Sequence, residues 1–248
     1  MATSAGRWSR PSSSSAVIVG AGVFGASLAH RLAGSGWDVT LVEQYAPGHV
    51  RAASGGESRL LRFSHGPDVW YTESAKRALG LWQELEAESG AELFVPCGVA
   101  WFFDESEDWA AASERALAEH GLAIERLSPD EAQRLFPSFD PTGLTTVSYE
   151  PEAGVLRARD ATRTLAEQAV VRGARFVEGV AVPEGNAVVV DGERLEGDHV
   201  IWAGGAWLAR LFPDLVRLTV DNDLHATNPR SRHAGAEQRR LAGHSGTQ

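Results

Sequence analysis

A strand–helix–strand unit near the N-terminus limits the possible folds of this 248-residue chain more than any other segment. Residues 16–19 form an unbroken apolar run, which is typical of a strand buried on both faces of a parallel sheet. A glycine-rich turn follows at residues 20–25, and residues 23–32 predict a helix. A second apolar run, at residues 39–42, ends at Glu43. Because parallel strands need such a crossover helix, the unit predicts an α/β fold with a parallel sheet.

The glycines of this turn have the spacing that binds a dinucleotide. Gly20 permits the tight turn, Gly22 lets a pyrophosphate approach the backbone, and Gly25 lets the helix and strand pack closely. The helix N-terminus offers free N–H groups to the phosphates, and Glu43 is placed to accept hydrogen bonds from ribose hydroxyls. The motif does not separate NAD from FAD, since both contain ADP, and a glycine-rich turn without a ligand is the alternative.

Two arginines, Arg59 and Arg62, follow a loop rich in glycine and serine. If the backbone there is helical, side chains three residues apart lie on one face. A guanidinium presents a rigid fork to a carboxylate, so the pair predicts a site for an acidic group. Two solvated surface arginines are the alternative.

A third segment, at residues 200–207, carries an apolar strand into Gly204 and Gly205 just before a short helix. This pattern predicts a second close approach of the backbone to a cofactor, and an ordinary strand-to-helix turn is the alternative. Periodicity and caps predict the other elements: helices at residues 69–88, 106–120, 129–136 and 160–172, and strands at residues 99–103, 144–149, 175–177, 187–190 and 199–203.

Charge and cysteine content exclude several kinds of partner and site. The formal net charge is −10 with no basic block, which argues against binding of nucleic acid through its phosphates. The one cysteine, Cys97, excludes disulfide frameworks and Cys-x-x-Cys metal sites and fits a reducing cytoplasm. Residues 16–29 are the most apolar stretch but are too short to span a bilayer. We expect a cytoplasmic protein without a metal site or a membrane span, and the sequence predicts no oligomeric state.

Both ends of the chain differ from the segment between them. Residues 1–15 are rich in serine and lack the apolar core of a signal peptide, so they predict a disordered leader. Residues 221–248 contain Leu224 and Leu241 as their only large apolar side chains, which is too little to offset the entropy of ordering. We therefore expect a disordered tail at residues 221–248 and a folded part at residues 16–220.

Several segments, in their chain order, resemble the FAD-dependent amine and amino-acid oxidoreductases of the D-amino-acid-oxidase superfamily, and in particular its sarcosine oxidase and N-methyltryptophan oxidase branch. They are the GAGVFG turn with Glu43, SGGESRLLR at residues 54–62, the helix with Trp70 and Trp82, YEPEAGVL at residues 149–156 and VIWAGGAW at residues 200–207. The resemblance covers residues 16–218. It implies a Rossmann-like FAD-binding domain at about residues 16–80 and 150–212, and part of an α+β substrate domain at about residues 90–149.

The resemblance also implies roles for individual residues. Arg59 would lie over the isoalloxazine ring and Arg62 would hold the substrate carboxylate, so these two are the predicted catalytic residues. The implied FAD-binding residues lie in the two glycine turns, at the end of the second strand, in the loop before Arg59 and near residue 180: Gly20, Ala21, Gly22, Phe24, Gly25, Glu43, Gln44, Ser54, Gly56, Ser58, Val180, Val182, Ala203, Gly204, Gly205 and Trp207.

The reaction that the resemblance implies is FAD-dependent oxidation of the C–N bond of an amino acid or N-methyl amino acid to an imine, with O2 as the acceptor and hydrogen peroxide as the product. Gly55 stands where sarcosine oxidases carry a histidine, which argues against sarcosine as the substrate. The family pattern stops after residue 220, and neither Lys76 nor Cys97 matches the lysine and cysteine that the family uses near the flavin. These departures predict a truncated or frame-altered form, with a catalytically incompetent FAD-binding fragment as the alternative.

Overall fold

The structure, a computed structural model, describes residues 14–103, 108–138 and 140–217. Its strands are β1 (Ser15–Val19), β2 (Asp38–Glu43), β3 (Arg59–Leu61), β4 (Phe94–Val95), β5 (Val99–Phe103), β6 (Glu125–Leu127), β7 (Thr146–Glu150), β8 (Gly154–Leu156), β9 (Arg175–Glu178), β10 (Ala181–Glu184), β11 (Ala187–Val190), β12 (Glu193–Leu195) and β13 (His199–Trp202). Its helices are α1 (Val23–Gly34), α2 (Val69–Ser89), α3 (Asp108–Glu119), α4 (Pro129–Leu135), α5 (Ala158–Val171) and α6 (Leu208–Leu211), with a 3₁₀ turn at Gly205–Trp207.

A parallel sheet lies at the centre of the fold. Its strands follow the order β13-β1-β2-β9, so the two strands of the N-terminal unit are the inner ones. Ile18 and Leu41 point to one face, where α1 packs against α5. Alanines dominate both helices at this contact, and their small side chains let the helices approach the sheet closely. The α/β prediction is confirmed.

The other face of the parallel sheet is covered by an antiparallel sheet, β10-β11-β12. Val17, Val19 and Val42 of the central sheet pack there against Val188 and Val190. Because successive side chains of a strand point to opposite faces, each inner strand contributes to both cores. This explains why β1 reads as a continuous apolar run rather than an alternating one.

A second group of elements follows the loop after β2. Two antiparallel sheets, β3-β8-β4 and β5-β7-β6, lie with α2 and α3 around a core that contains Phe63, Leu117 and Leu156. α4 begins at a capping box, in which the Ser128 side chain accepts from the Glu131 N–H and the Glu131 carboxylate accepts from the Ser128 N–H, as the sequence predicts.

Some predicted boundaries are wrong. Ser15 belongs to β1, where its N–H and hydroxyl bond to the Asp198 carboxylate at 2.8 and 2.9 Å, so it is not part of a leader. α5 begins at Ala158, which places Asp160 in its first turn rather than at its cap.

Residues 1–13 of the predicted leader, and the predicted tail, lie outside the described residues. Among those that are described, no helix combines the length and apolar character needed to cross a membrane.

Candidate functional site

A cavity of about 840 Å³ lies at the carboxyl edge of the central sheet. Three of the parallel strands end at this cavity, and the residue that follows each of them lines it: Gly20 after β1, Gln44 after β2 and Ala203 after β13. Ligands of open α/β sheets bind at this edge, and the volume falls in the usual range for a small-molecule site.

The first glycine turn forms one wall of the cavity. Gly20 has φ +105°, and a Cβ there would lie 2.6 Å from the Ala203 carbonyl oxygen. A Cβ on Gly25 would overlap the carbonyl oxygen of Gly20, so helix and turn touch through their backbones. Over Gly22, by contrast, the nearest atom to a Cβ would be the Ser54 hydroxyl at 3.6 Å. The turn is therefore closed on its inner side and open where Gly22 faces the cavity.

The N-terminus of α1 points into the same space. Gly22 is its N-cap and supplies no side chain, and Val23 N–H donates to the Ser54 hydroxyl, 3.0 Å away in the loop after β2. The first turn of α1 contains no acidic residue, so its positive end is not neutralised from within the helix. Phe24 lies beside it with 85% of its surface exposed. This arrangement suits a phosphate against the helix end and an apolar group beside it.

Glu43 supplies the acceptors of the site. Its Oε2 accepts from Ala21 N–H at 2.7 Å and its Oε1 accepts from Tyr45 N–H at 3.2 Å. A carboxylate has about four lone-pair positions, so two bonds leave capacity for further donors such as hydroxyl groups. The two backbone bonds also fix the carboxylate at the mouth of the glycine turn.

The cavity brings together most of the residues predicted to bind FAD, together with one of the two predicted arginines. Those that line it are Gly20, Ala21, Gly22, Phe24, Glu43, Gln44, Ser54, Arg59, Val180, Val182, Ala203, Gly204, Gly205 and Trp207. Gly25, Gly56, Ser58 and Arg62 do not line it. Gly25 packs behind the turn, while Gly56 and the Ser58 carbonyl lie against the Arg59 guanidinium.

The backbone at Arg59 is not helical, so the condition under which Arg59 and Arg62 would share one helical face is not met. Arg59 begins β3, which pairs with β8, so the backbone there is extended, and Arg62 follows the last residue of the strand, Leu61. Arg59 faces the cavity and donates to the carbonyl oxygens of Ala53 and Ser58. Arg62 instead lies over Trp101, with its Cζ 4.6 Å from the ring centroid.

His65 shares the surroundings of Arg62. Partial burial lowers the pKa of His65 from its usual 6.5, and the Arg62 charge lowers it further, against smaller raising contributions that include the Glu150 and Asp68 charges. The His65 ring packs against Tyr71 with 5.3 Å between centroids. Because the folded chain holds this imidazole less protonated than the unfolded chain does, its contribution to stability is lost as the pH falls below 6.5.

We expect the pKa of His65 to rise in an Arg62→Gln variant, since the substitution removes a charge that disfavours the imidazolium and keeps the backbone. An NMR titration of the histidine ring resonances measures this change. His120 is the control: its pKa is raised by its hydrogen bond to the Ala116 carbonyl and by Glu73, and the substitution should not affect it. An unchanged His65 titration would show that Arg62 does not act on this ring.

Sequence reasoning missed a cluster in the loop after β2. Tyr45 and His49 stack with 4.6 Å between centroids, and the Arg51 guanidinium donates to the Tyr45 hydroxyl at 2.7 Å. All three line the cavity. It also missed Glu150, a fully buried carboxylate close to Arg62 in the fold. The cluster lies within one loop but matches no motif used above. Glu150 falls in the YEPEAGVL segment but was given no role, because its contacts are with distant parts of the chain.

Comparisons with known proteins agree with this geometry. A family model described as DAO, FAD dependent oxidoreductase, matches residues 15–241. The chain is 29% identical over 206 residues to monomeric sarcosine oxidase of Bacillus sp. (strain B-0618), covering 80% of this chain and 53% of that protein. It is 25% identical over 205 residues to N-methyl-L-tryptophan oxidase of Yersinia pestis (strain Pestoides F), covering 80% and 55%.

A solved structure shows the same fold. Iminodiacetate oxidase from Chelativorans sp. BNC1 superposes with a TM-score of 0.69 at 23% identity, covering 80% of this chain and 57% of that one. The chain spans about half the length of the curated relatives it matches. The matches confirm the resemblance inferred from the sequence, including FAD, which the family description names.

Proposed function

Because this chain belongs to the FAD dependent oxidoreductase family, whose model matches residues 15–241, we propose that it binds FAD and oxidises the C–N bond of an amino acid or an N-methyl amino acid. The observation that carries the proposal is the cavity at the carboxyl edge of the parallel sheet, where a glycine turn, a helix N-terminus and Glu43 converge. The relatives named above are oxidases of sarcosine and N-methyl-L-tryptophan, which supports the substrate class.

The residues present fit the cofactor. The open side of Gly22 and the first N–H groups of α1 suit the pyrophosphate, and the free lone pairs of Glu43 suit the adenosine ribose. The apolar side chains of Val180, Val182 and Trp207 reach the surface of the same cavity. Arg59 is tied to two carbonyl oxygens of the loop before it, so it would hold a fixed position over the flavin ring.

Arg62 is proposed to take the substrate carboxylate. Among the described residues, no carboxylate forms an ion pair with its guanidinium, which lies against Trp101 with its planar fork available. Holding the substrate carboxylate in one place would orient the neighbouring C–H bond of the substrate and fix its distance from the bound FAD. The role therefore requires the Arg62 fork to be pre-positioned.

The proposed reaction removes two electrons from the substrate. The carbon beside the nitrogen loses a hydride equivalent and the nitrogen loses a proton, which leaves an imine that water hydrolyses. Bound FAD supplies the acceptor for the hydride equivalent, and O2 with two protons takes the electrons as hydrogen peroxide. A cytoplasmic location stays a prediction from the single cysteine.

To test this proposal, the full chain is titrated with FAD, and N-methyl-L-alanine or L-alanine is then added under anaerobic conditions. We expect a yellow complex whose flavin absorbance bleaches with at least one of the two, and hydrogen peroxide when air returns. FAD bound without bleaching would identify a cofactor-binding unit that does not oxidise these amines by itself. Binding of NADH in place of FAD would overturn the proposal.

The same experiment examines Arg62 with acetate as the probe. Arg62→Ala should leave the Kd of FAD unchanged and raise that of acetate at least tenfold, because charge-assisted hydrogen bonds contribute about 1.5–3 kcal/mol and 1.4 kcal/mol is about tenfold. Arg126→Ala is the matched control, since Arg126 pairs with Glu114 at 2.9 Å and does not line the cavity. Equal acetate affinity in Arg62→Ala and the unsubstituted chain would exclude the proposed role.

A further inference from the structure

We propose that Glu150 is a positioning residue, which sets the guanidinium of Arg62 through the backbone that follows Arg62 and through the Trp101 ring against which it lies. The inference rests on the proposed function, in which Arg62 takes the substrate carboxylate. Glu150 would not touch the substrate itself. Its role would be to give the Arg62 fork one orientation before a substrate arrives.

The Glu150 carboxylate is completely buried at the end of β7. Its Oε2 accepts from Phe63 N–H at 2.6 Å, and its Oε1 accepts from Ser64 N–H at 3.2 Å and from the indole Nε1–H of Trp101 at 2.5 Å. A buried carboxylate is costly unless it is hydrogen-bonded, and these three donors satisfy it. These hydrogen bonds therefore fix the position of the Glu150 carboxylate in the fold.

The three donors surround Arg62. Phe63 and Ser64 are the next two residues of the chain, so their bonds fix the backbone from which the Arg62 side chain extends. Trp101 carries the ring beneath the guanidinium, and its only ring donor points at Glu150. One carboxylate therefore controls both the base of the arginine side chain and the surface on which its end lies.

Neighbouring side chains hold the same loop. The Thr72 hydroxyl donates to the Phe63 carbonyl oxygen at 2.8 Å, and Gly66 N–H donates to the Ser113 hydroxyl at 2.8 Å. These bonds anchor the loop but do not reach Trp101. Glu150 differs from Thr72 and Ser113 because it joins the loop to the ring that carries the guanidinium.

A purely structural role for Glu150 is the competing explanation, and NMR without any ligand separates the two. In the unsubstituted chain, we expect the Arg62 Nε–H resonance to be shifted by the ring current of Trp101, and the Trp101 indole N–H to lie downfield because it donates a short hydrogen bond to Glu150. In Glu150→Gln, both resonances should move toward their usual positions, while resonances of the FAD cavity stay in place. Trp101→Phe and Arg62→Ala identify the two signals.

The matched control is Glu86→Gln. Glu86 also accepts from two successive backbone N–H groups, those of Leu93 and Phe94 at 2.7 and 2.8 Å. It lies on α2, and within the described part of the chain it forms no hydrogen bond or ion pair with Arg62 or Trp101. An amide has one acceptor oxygen, so Glu150→Gln cannot serve donors at both of its former oxygens. Glu86 uses Oε1 alone, so its amide variant keeps an acceptor for both donors.

The binding measurement uses the full chain saturated with FAD, with acetate as the probe and acetamide as its neutral counterpart. Glu150→Gln should raise the Kd of acetate about tenfold, leave acetamide unchanged and keep FAD affinity within about twofold. Glu86→Gln should change none of these values. Trp101→Phe, which removes the indole donor and keeps an aromatic ring, should also weaken acetate, and it serves if Glu150→Gln does not fold.

The outcomes separate this inference from the function on which it rests. If the Arg62 Nε–H and acetate affinity are the same in Glu150→Gln as in the unsubstituted chain, Glu150 has no positioning role. If Arg62→Ala binds acetate as well as the unsubstituted chain, the carboxylate role of Arg62 fails, and the ligand-free resonances alone decide whether Glu150 positions Arg62. If Glu86→Gln weakens acetate equally, the effect is one of general stability and the inference is overturned.

Discussion

Gly25→Ala should lower the free energy of unfolding by about 3 kcal/mol or more, which is at the upper end for a single overpacked methyl group. The added Cβ would overlap the carbonyl oxygen of Gly20 and lie 3.2 Å from the Cβ of Ala203. Both obstacles belong to the backbone or to a short side chain, so neither turns away by a rotamer change. To make room, α1 would have to move off the turn that follows β1.

Urea unfolding of the full chain measures this effect, and Gly80→Ala is the control. Gly80 lies within α2, has no atom within 4 Å of where a Cβ would lie and needs no positive φ. Alanine there should stabilise the chain by up to about 1 kcal/mol, through helix propensity alone. Gly25→Ala unfolding at the same urea concentration as the unsubstituted chain would contradict the close contact of helix and turn.

The central part of the fold was predictable because its signals are long and local. β1 and β2 together are apolar along most of their length, and a glycine turn and a helix separate them, so the signal covers whole elements. Their burial on both faces follows from the two layers that cover the sheet, α1 with α5 on one side and β10-β11-β12 on the other.

The short strands could not be predicted in the same way. β4 has two residues, and β3 and β8 have three each, which is too few for an alternating pattern. β3 is extended because it pairs with β8, almost 100 residues further along the chain, so its conformation is decided by a partner. This is also why the helical backbone considered for Arg59 and Arg62 is not found at Arg59.

The same physical limit applies to the site. The glycine turn and Glu43 form within one local unit, so their spacing carried the prediction that they meet. Glu150 reaches Phe63 across 87 positions and Trp101 across 49, and its neighbours in sequence give no sign of either contact. The contact between the glycine turn and Glu43 was thus visible from the sequence, whereas the Tyr45, His49 and Arg51 cluster and the carboxylate proposed to orient Arg62 were not.

Glu43→Ala should raise the Kd of FAD about 100-fold. In the proposed function Glu43 accepts from the ribose hydroxyls, and it already holds Ala21 N–H at 2.7 Å and Tyr45 N–H at 3.2 Å. Hydrogen bonds to a charged acceptor contribute about 1.5–3 kcal/mol each, and 1.4 kcal/mol corresponds to about tenfold in affinity. The loss of two such bonds to the ribose, with the turn less firmly held, accounts for the predicted change.

The matched control for this prediction lies on the adjacent strand. Glu178 ends β9 directly opposite Glu43 in the parallel register, yet it does not line the cavity. Glu178→Ala should keep the Kd of FAD within about twofold, as measured by quenching of flavin fluorescence in the same titration. If both substitutions weaken FAD equally, the effect arises from the charge at this sheet edge and not from contact with the ribose. If neither does, the cofactor is not held at the carboxyl end of β2, and the cavity assignment fails with it.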